Sequence, residues 1–246
     1  MKRLGIVLLG LALVLPQTLL AQTYAPDLQH GSMFQYTFSQ GSGVSVDWDG
    51  VQAGPYLGKV GWNTPTAPSF SLYCIDYDHS IQVGNQVNAR VSTLGTGDVG
   101  RTRLGMAGAA QALERYKTAA WLASQYHVAG TAHWSAIQTA IWTVTAVGAT
   151  PWYGTDANVT GPGDQNWMHA ARRAIRADFY GMDFNNWHVL TSYEKGRDGP
   201  ILGKHQEMLT QTQSVVPEPE TYVLLFSGLL FVGFFGRRRM KEMGYL

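Results

Sequence analysis

The 246-residue chain contains one cysteine, Cys74. An internal disulfide is therefore excluded, and so is any zinc site built on paired cysteines. Its seven histidines lack the His-x-x-x-His spacing that puts two ring nitrogens on one helix face. No metal centre and no cofactor are expected. Charge is scarce as well: Asp, Glu, Lys and Arg make up 14% of the residues, and the formal net charge is +1. That leaves no basic field to gather phosphates, so nucleic acid is not an expected partner. The stretches GTGDVG and GPGD lack the strand-to-helix context of a phosphate loop and read as turns. No unit of roughly 20–50 residues repeats, which removes solenoids and propellers. A cysteine–histidine hydrolase would need Cys74 as nucleophile and His133 or His169 as base. Cys74 falls in a strand pattern, away from the helix N-terminus that commonly lowers a thiol pKa. The expectation is a protein that is not an enzyme.

Both ends carry what the middle lacks, long uncharged apolar runs. Lys2 and Arg3 precede an apolar stretch from Leu4 to Leu15, and Leu19-Leu20-Ala21 offers a small-residue cleavage site before Gln22. This layout predicts a secretory signal peptide over 1–21 and an exported mature protein. At the other end, Pro217, Glu218, Pro219 and Glu220 lead into an apolar run from Tyr222 to Phe235, followed by Arg237, Arg238, Arg239 and Lys241. The run is shorter than the ~20 residues of an untilted spanning helix, but snorkelling arginines can make up the difference. It reads as a short transmembrane helix with its basic end held in the cytoplasm. The order of these features over 217–241 resembles the PEP-CTERM sorting signal of Gram-negative bacteria. The resemblance implies membrane anchoring, then removal of the tail by an exosortase-type processing enzyme.

Between the ends lies one domain, expected over 22–205, with 206–216 as a linker. SMFQYTFS, GVSVDW, SFSLYCIDY and SIQVGNQVNARV alternate apolar and polar residues between Gly, Pro and Asn breaks and read as strands. From Ala107 to about Gly181 the spacing becomes helical. A first helix carries Leu113, Tyr116, Ala120, Trp121 and Ser124 on one face and ends at Gly130. A second is HWSAIQTAIWTVTAVG, stopped by Gly148 and Pro151, and a third is capped by Asp164. NNWHVLTSY returns to strand. The predicted class is α+β: a β-rich, sandwich-like body with an inserted helical segment. GKHQEMLTQTQSVVPEP loses its aromatics, and its end reads as a stalk.

Two residues stand out within that domain. On the second helix, Trp134, Gln138, Ile141, Trp142 and Thr145 share a face about 100° wide. A glutamine among aromatics costs free energy unless its amide is satisfied, so Gln138 either bonds nearby backbone or has another task. In LYCIDY, alternation puts Tyr73, Ile75 and Tyr77 on one side and Cys74 and Asp76 on the other. Cys74 can be a small buried hydrophobe, an intermolecular disulfide partner, or one end of a bond to a side chain other than cysteine.

YCID followed downstream by IQTAIW resembles the thioester domains of Gram-positive surface adhesins. There a cysteine in a Tyr-Cys-Ile-acidic strand joins the glutamine of a Thr-Gln-x-Ala-Ile-Trp motif. Position by position, Cys74 matches the thiol and Gln138 the acyl donor, while Ala140, Ile141 and Trp142 complete the motif. Ile137 stands where the family has threonine. The resemblance implies a cell-surface, adhesin-like role, with covalent attachment to an amine- or hydroxyl-bearing ligand on a surface or matrix. Asp76, Asp78, His79 and His133 are candidate helpers, none singled out by spacing. The alternative is a structural envelope or matrix protein with the same fold and no such bond.

Overall fold

Alternation of inward apolar and outward polar side chains shapes the first half of the chain. The computed structural model describes residues 26–41, 44–45, 52–62, 66–146, 166–196 and 199–212. In it, β1 (Met33–Gln40) buries Tyr36 and Phe38, and β6 (Gln86–Thr93) buries Val87, Ala89 and Val91. Between them come a small hairpin, β2 (Val44–Ser45) and β3 (Gln52–Ala53), then β4 (Tyr56–Val60) and β5 (Ser69–Cys74). The expected strand from Ser80 begins only at Gln86, because a turn through Gly84 at φ 92° precedes it. After the helices come β7 (Trp187–Gly196), β8 (Gly199–Leu202) and β9 (Met208–Gln211).

The strands run in the order β6-β1-β4-β5-β9-β7, and β6 pairs with β7 as well, so six antiparallel strands close into a barrel. β8 pairs with the far half of β7. The body is β-rich with helices, as the α+β reading expects, but it is not sandwich-like. The ladder from Ala89↔Ser192 to Thr93↔His188 joins the two edges that stacked sheets would leave free.

A second difference concerns the linker expected from residue 206. Residues 206–212 belong to the body. β9 lies between β5 and β7, with Cys74 opposite Met208, and Ile75 N–H donates to Glu207 O at 3.2 Å. The Thr and Gln content that suggested a stalk is satisfied internally. Thr210 is buried, and its hydroxyl donates to Ser71 O at 2.8 Å.

Among the described residues, five α-helices lie between β6 and β7: α1 (Arg103–Met106), α2 (Ala112–Ser124), α3 (Tyr126–Ala129), α4 (Trp134–Thr145) and α5 (Trp167–Arg176). Gly130, at φ 76°, separates α3 from α4. Gly148, Pro151 and Asp164 lie outside the described residues. The cap of α5 is Asn166, whose side chain accepts from His169 N–H at 2.8 Å. On α2 the fully buried positions are Tyr116, Ala119, Ala120, Leu122 and Ala123, while Trp121 and Ser124 stay half-exposed. Small residues on that face let α2 approach Ala136 and Ala140 of α4 closely.

The core has two parts. Inside the barrel, Tyr36, Phe38, Tyr56, Phe70, Leu72, Cys74, Leu190 and Met208 pack together. Outside it, Tyr73, Ile75, Trp187, Val189 and Leu209 meet the helices. The expected signal peptide and the apolar tail lie outside the described residues. No helix among the described residues is long and apolar enough to cross a membrane.

Candidate functional site

Cys74 is the last residue of β5 and faces the barrel interior, where it is 0% exposed. Gln138 sits midway along α4, also 0% exposed. α4 is buried nearly all round and divides its side chains between the two cores: Ile137, Ala140 and Ile141 join the outer cluster, Trp142 the interior one. Gln138 lies at that division, where its amide reaches the strand. Its Nε2 donates to Cys74 O at 2.8 Å, across 64 positions of chain. Its Oε1 accepts from the hydroxyl of Tyr126 at 2.9 Å. The carbonyl of Cys74 can only accept, which fixes the orientation of the amide.

The thiol makes different contacts. The indole N–H of Trp142 donates to Cys74 Sγ at 3.4 Å, and the S–H donates to Asp76 O at 3.4 Å. Burial pushes the thiol up to about 12, offset only in part by the Trp142 N–H. Tyr77 does not follow Tyr73 and Ile75 outward. The chain leaves the strand after Cys74, and Tyr77 packs edge-on against Trp142, ring centroids 5.2 Å apart, beside the interior cluster.

Of the expected surroundings, Trp142 touches the thiol, while Ile141 faces the outer core. Trp134 is partly buried and reaches the site through Tyr126. Its Nε1 donates to Tyr126 O at 3.1 Å, and the two rings meet edge-on at 5.8 Å. Gly54, at φ 110°, lies so close to Trp134 that a Cβ there would stand 2.3 Å from the indole. His133 packs edge-on against Trp167 at the start of α4, and Ile137 is buried in apolar surroundings.

Asp76 is the hub of a separate polar network. Its carboxylate accepts from His79 Nδ1 at 2.8 Å, Asp78 N–H at 3.1 Å and Glu207 N–H at 3.2 Å, and pairs as an ion with Arg103, whose Nε stands 2.9 Å away without hydrogen-bond alignment. Arg103 donates through Nη1 to His79 Nε2 at 3.2 Å and through Nη2 to Gly203 O and His205 O. Since guanidinium has no acceptor, the His79 proton sits on Nδ1 in this arrangement. Buried Glu207 accepts from Arg103 N–H, Thr191 Oγ1 and Tyr116 OH, and burial raises its pKa. A cavity of about 490 Å³ lies against this network, with Met106, Leu202 and Thr145 on its other walls. Among the described residues, no group of His, Cys, Asp and Glu is placed to hold a metal ion.

Tyr126, Arg103 and Glu207 were not legible from spacing. Tyr126 follows the break between α2 and α3, outside any periodic face, and Glu207 lies in the stretch that reads as linker.

Comparison with known proteins bears on the tail. Residues 215–239 match the PEP-CTERM protein-sorting motif. The match covers Pro217, Glu218, Pro219, Arg237, Arg238 and Arg239, and supports export, surface sorting and processing by an exosortase. No curated protein matches the chain, and no solved structure does.

Proposed function

We propose that this exported, surface-sorted protein carries an internal thioester between Cys74 and Gln138, and uses it for covalent attachment to an amine or hydroxyl on a surface or matrix. The observation that carries the reading is the direct bond from the Gln138 amide to the Cys74 main chain, both residues fully buried, across 64 positions. In the reaction, Sγ bonds to Gln138 Cδ, the Cδ–Nε2 bond breaks, and the thiol proton leaves with the nitrogen as ammonia. A nucleophilic amine then takes the acyl group, Cδ–Sγ breaks, and a proton from the amine returns to sulfur. Trp142 and Tyr77 hold the bond in apolar, water-poor surroundings until such a nucleophile arrives. If the cross-link constrains the unfolded chain as a disulfide does, it adds roughly 4 kcal/mol of stability. The role is adhesion, not turnover, and the membrane contact is through the C-terminal tail.

A specific observation favours a second reading, a structural envelope or matrix protein with a free thiol. Sγ is bonded to Trp142 and Asp76, and the pKa of about 12 leaves almost no thiolate to attack. Intact-mass measurement separates the two. The thioester protein is lighter than its mature sequence by one ammonia, and the deficit vanishes in Cys74→Ala and in Gln138→Ala. Methylamine adds to Gln138 and frees the thiol for alkylation. Full sequence mass, with one thiol titrating on unfolding, refutes the thioester.

A further inference from the structure

We infer that Tyr126 is a catalytic residue of the Cys74–Gln138 reaction, its hydroxyl being the donor that receives the negative charge on the Gln138 carbonyl oxygen. This rests on the thioester reading and deepens it. Attack of sulfur on Cδ turns the planar amide tetrahedral, and charge moves onto Oε1. The only donor that reaches Oε1 among the described residues is the Tyr126 hydroxyl, at 2.9 Å. The leaving nitrogen gathers positive charge as it takes up the thiol proton, and it is held at 2.8 Å by an acceptor, Cys74 O. Each end of the amide therefore faces a partner of the polarity that its developing charge requires. Fixed dipoles in a water-poor site are worth more than the same groups in solvent, because they need no reorganisation as the charge forms.

Tyr126 is built to stay a donor in a fixed place. Its side chain is buried, and burial raises its pKa well above the ordinary tyrosine value, so the hydroxyl keeps its proton. The ring stacks on Tyr73, with centroids 5.9 Å apart and planes 4° from parallel, and meets Trp134 edge-on from another side. Trp134 Nε1 also ties down the Tyr126 carbonyl. The same oxygen becomes the thioester carbonyl oxygen, so one hydroxyl serves both formation of the bond and its later opening by an amine.

A structural glutamine would be satisfied by the same two hydrogen bonds, so the test reads rate and vibrational frequency in place of stability alone. Tyr126→Phe keeps the ring and removes the hydroxyl. Loss of a single donor of this kind slows reaction about 10²–10³-fold. In full-length mature protein followed by intact mass, Tyr126→Phe is expected to lose ammonia, and to take up methylamine once acylated, slower by that factor, with the folded state intact by circular dichroism. Equal rates in the variant and the wild type overturn the role of Tyr126 and leave the thioester standing. Full sequence mass in the wild type overturns both. Isotope-edited infrared spectroscopy of wild-type protein carrying ¹³C at glutamine Cδ supplies a readout that does not depend on the variant folding. A thioester carbonyl accepting from Tyr126 absorbs at lower frequency than a ¹³C-labelled alkyl thioester in an apolar solvent, where the carbonyl accepts no hydrogen bond. An unshifted band overturns the proposal.

Discussion

Replacing Asp76 with alanine removes the hub that fixes the end of β5, and the cost follows from its partners. The carboxylate is the counter-ion of Arg103, whose side chain is 12% exposed, and it also accepts from His79, Asp78 N–H and Glu207 N–H. Truncation strands a nearly buried guanidinium and unpairs two backbone donors. Breaking a buried pair by removing one partner costs about 3–5 kcal/mol. For a domain of roughly 190 residues, that lowers Tm by about 6–20 °C. Asp76→Asn should fall between alanine and wild type. Three partners of the Asp76 carboxylate are donors and the fourth is the Arg103 cation, so the new amide N–H₂ must face at least one of them. His79→Ala should cost less, because that side chain is 34% exposed and its pairing is partly screened. Urea unfolding of the mature domain, with calorimetry alongside, measures all three. A loss below about 1 kcal/mol in Asp76→Ala would show that the network behaves as a solvated surface cluster, and the reasoning fails.

Two further outcomes test the site and the tail. With a free thiol at Cys74, stability relative to Cys74→Ala is constant below the unfolded pKa of 9.0 and falls as pH rises toward the folded value of about 12. Only the unfolded thiol ionises in that window, and the difference grows to about 4 kcal/mol. Parallel wild-type and Cys74→Ala curves over the same range mean that no thiol is present, as a thioester requires. Substituting Pro217, Glu218 and Pro219 together should leave unprocessed protein in the membrane fraction of a host with an exosortase. Deleting Arg237, Arg238 and Arg239 should weaken retention, and fractionation with immunoblotting reads both. Normal release of the first variant would contradict the sorting role.

The helical segment, the main strands and the burial of Gln138 were legible because they rest on local periodicity. The wheel of α4 did not show that the helix is enclosed on almost every side, so Ile141 and Trp142 serve different cores. Barrel closure was illegible for a related reason. It depends on pairing β6 with β7, about a hundred residues later, and nothing in either strand announces its neighbour. β9 was missed because a strand of four residues covered on both faces can carry Thr and Gln, provided that partners such as Ser71 O satisfy them. Tyr126 acts through one hydroxyl at the end of a broken helix, a position without a period to betray it. Alternation also misplaced Tyr77, since the two-residue rule stops where the strand does, at Cys74.

The placement of β9 has a mechanical consequence. The strand ends at Gln211, and the sorting motif begins at residue 215. A protein held by its tail while its body is dragged away takes the tension first on β9. That strand has neighbours on both sides, so tension must shear two ladders together, β5 on one side and β7 on the other. Its partner at Met208 is Cys74 itself. Force from the tether therefore reaches the thiol-bearing strand across one row of hydrogen bonds, and a covalent link from Cys74 to Gln138 would pass it on to α4.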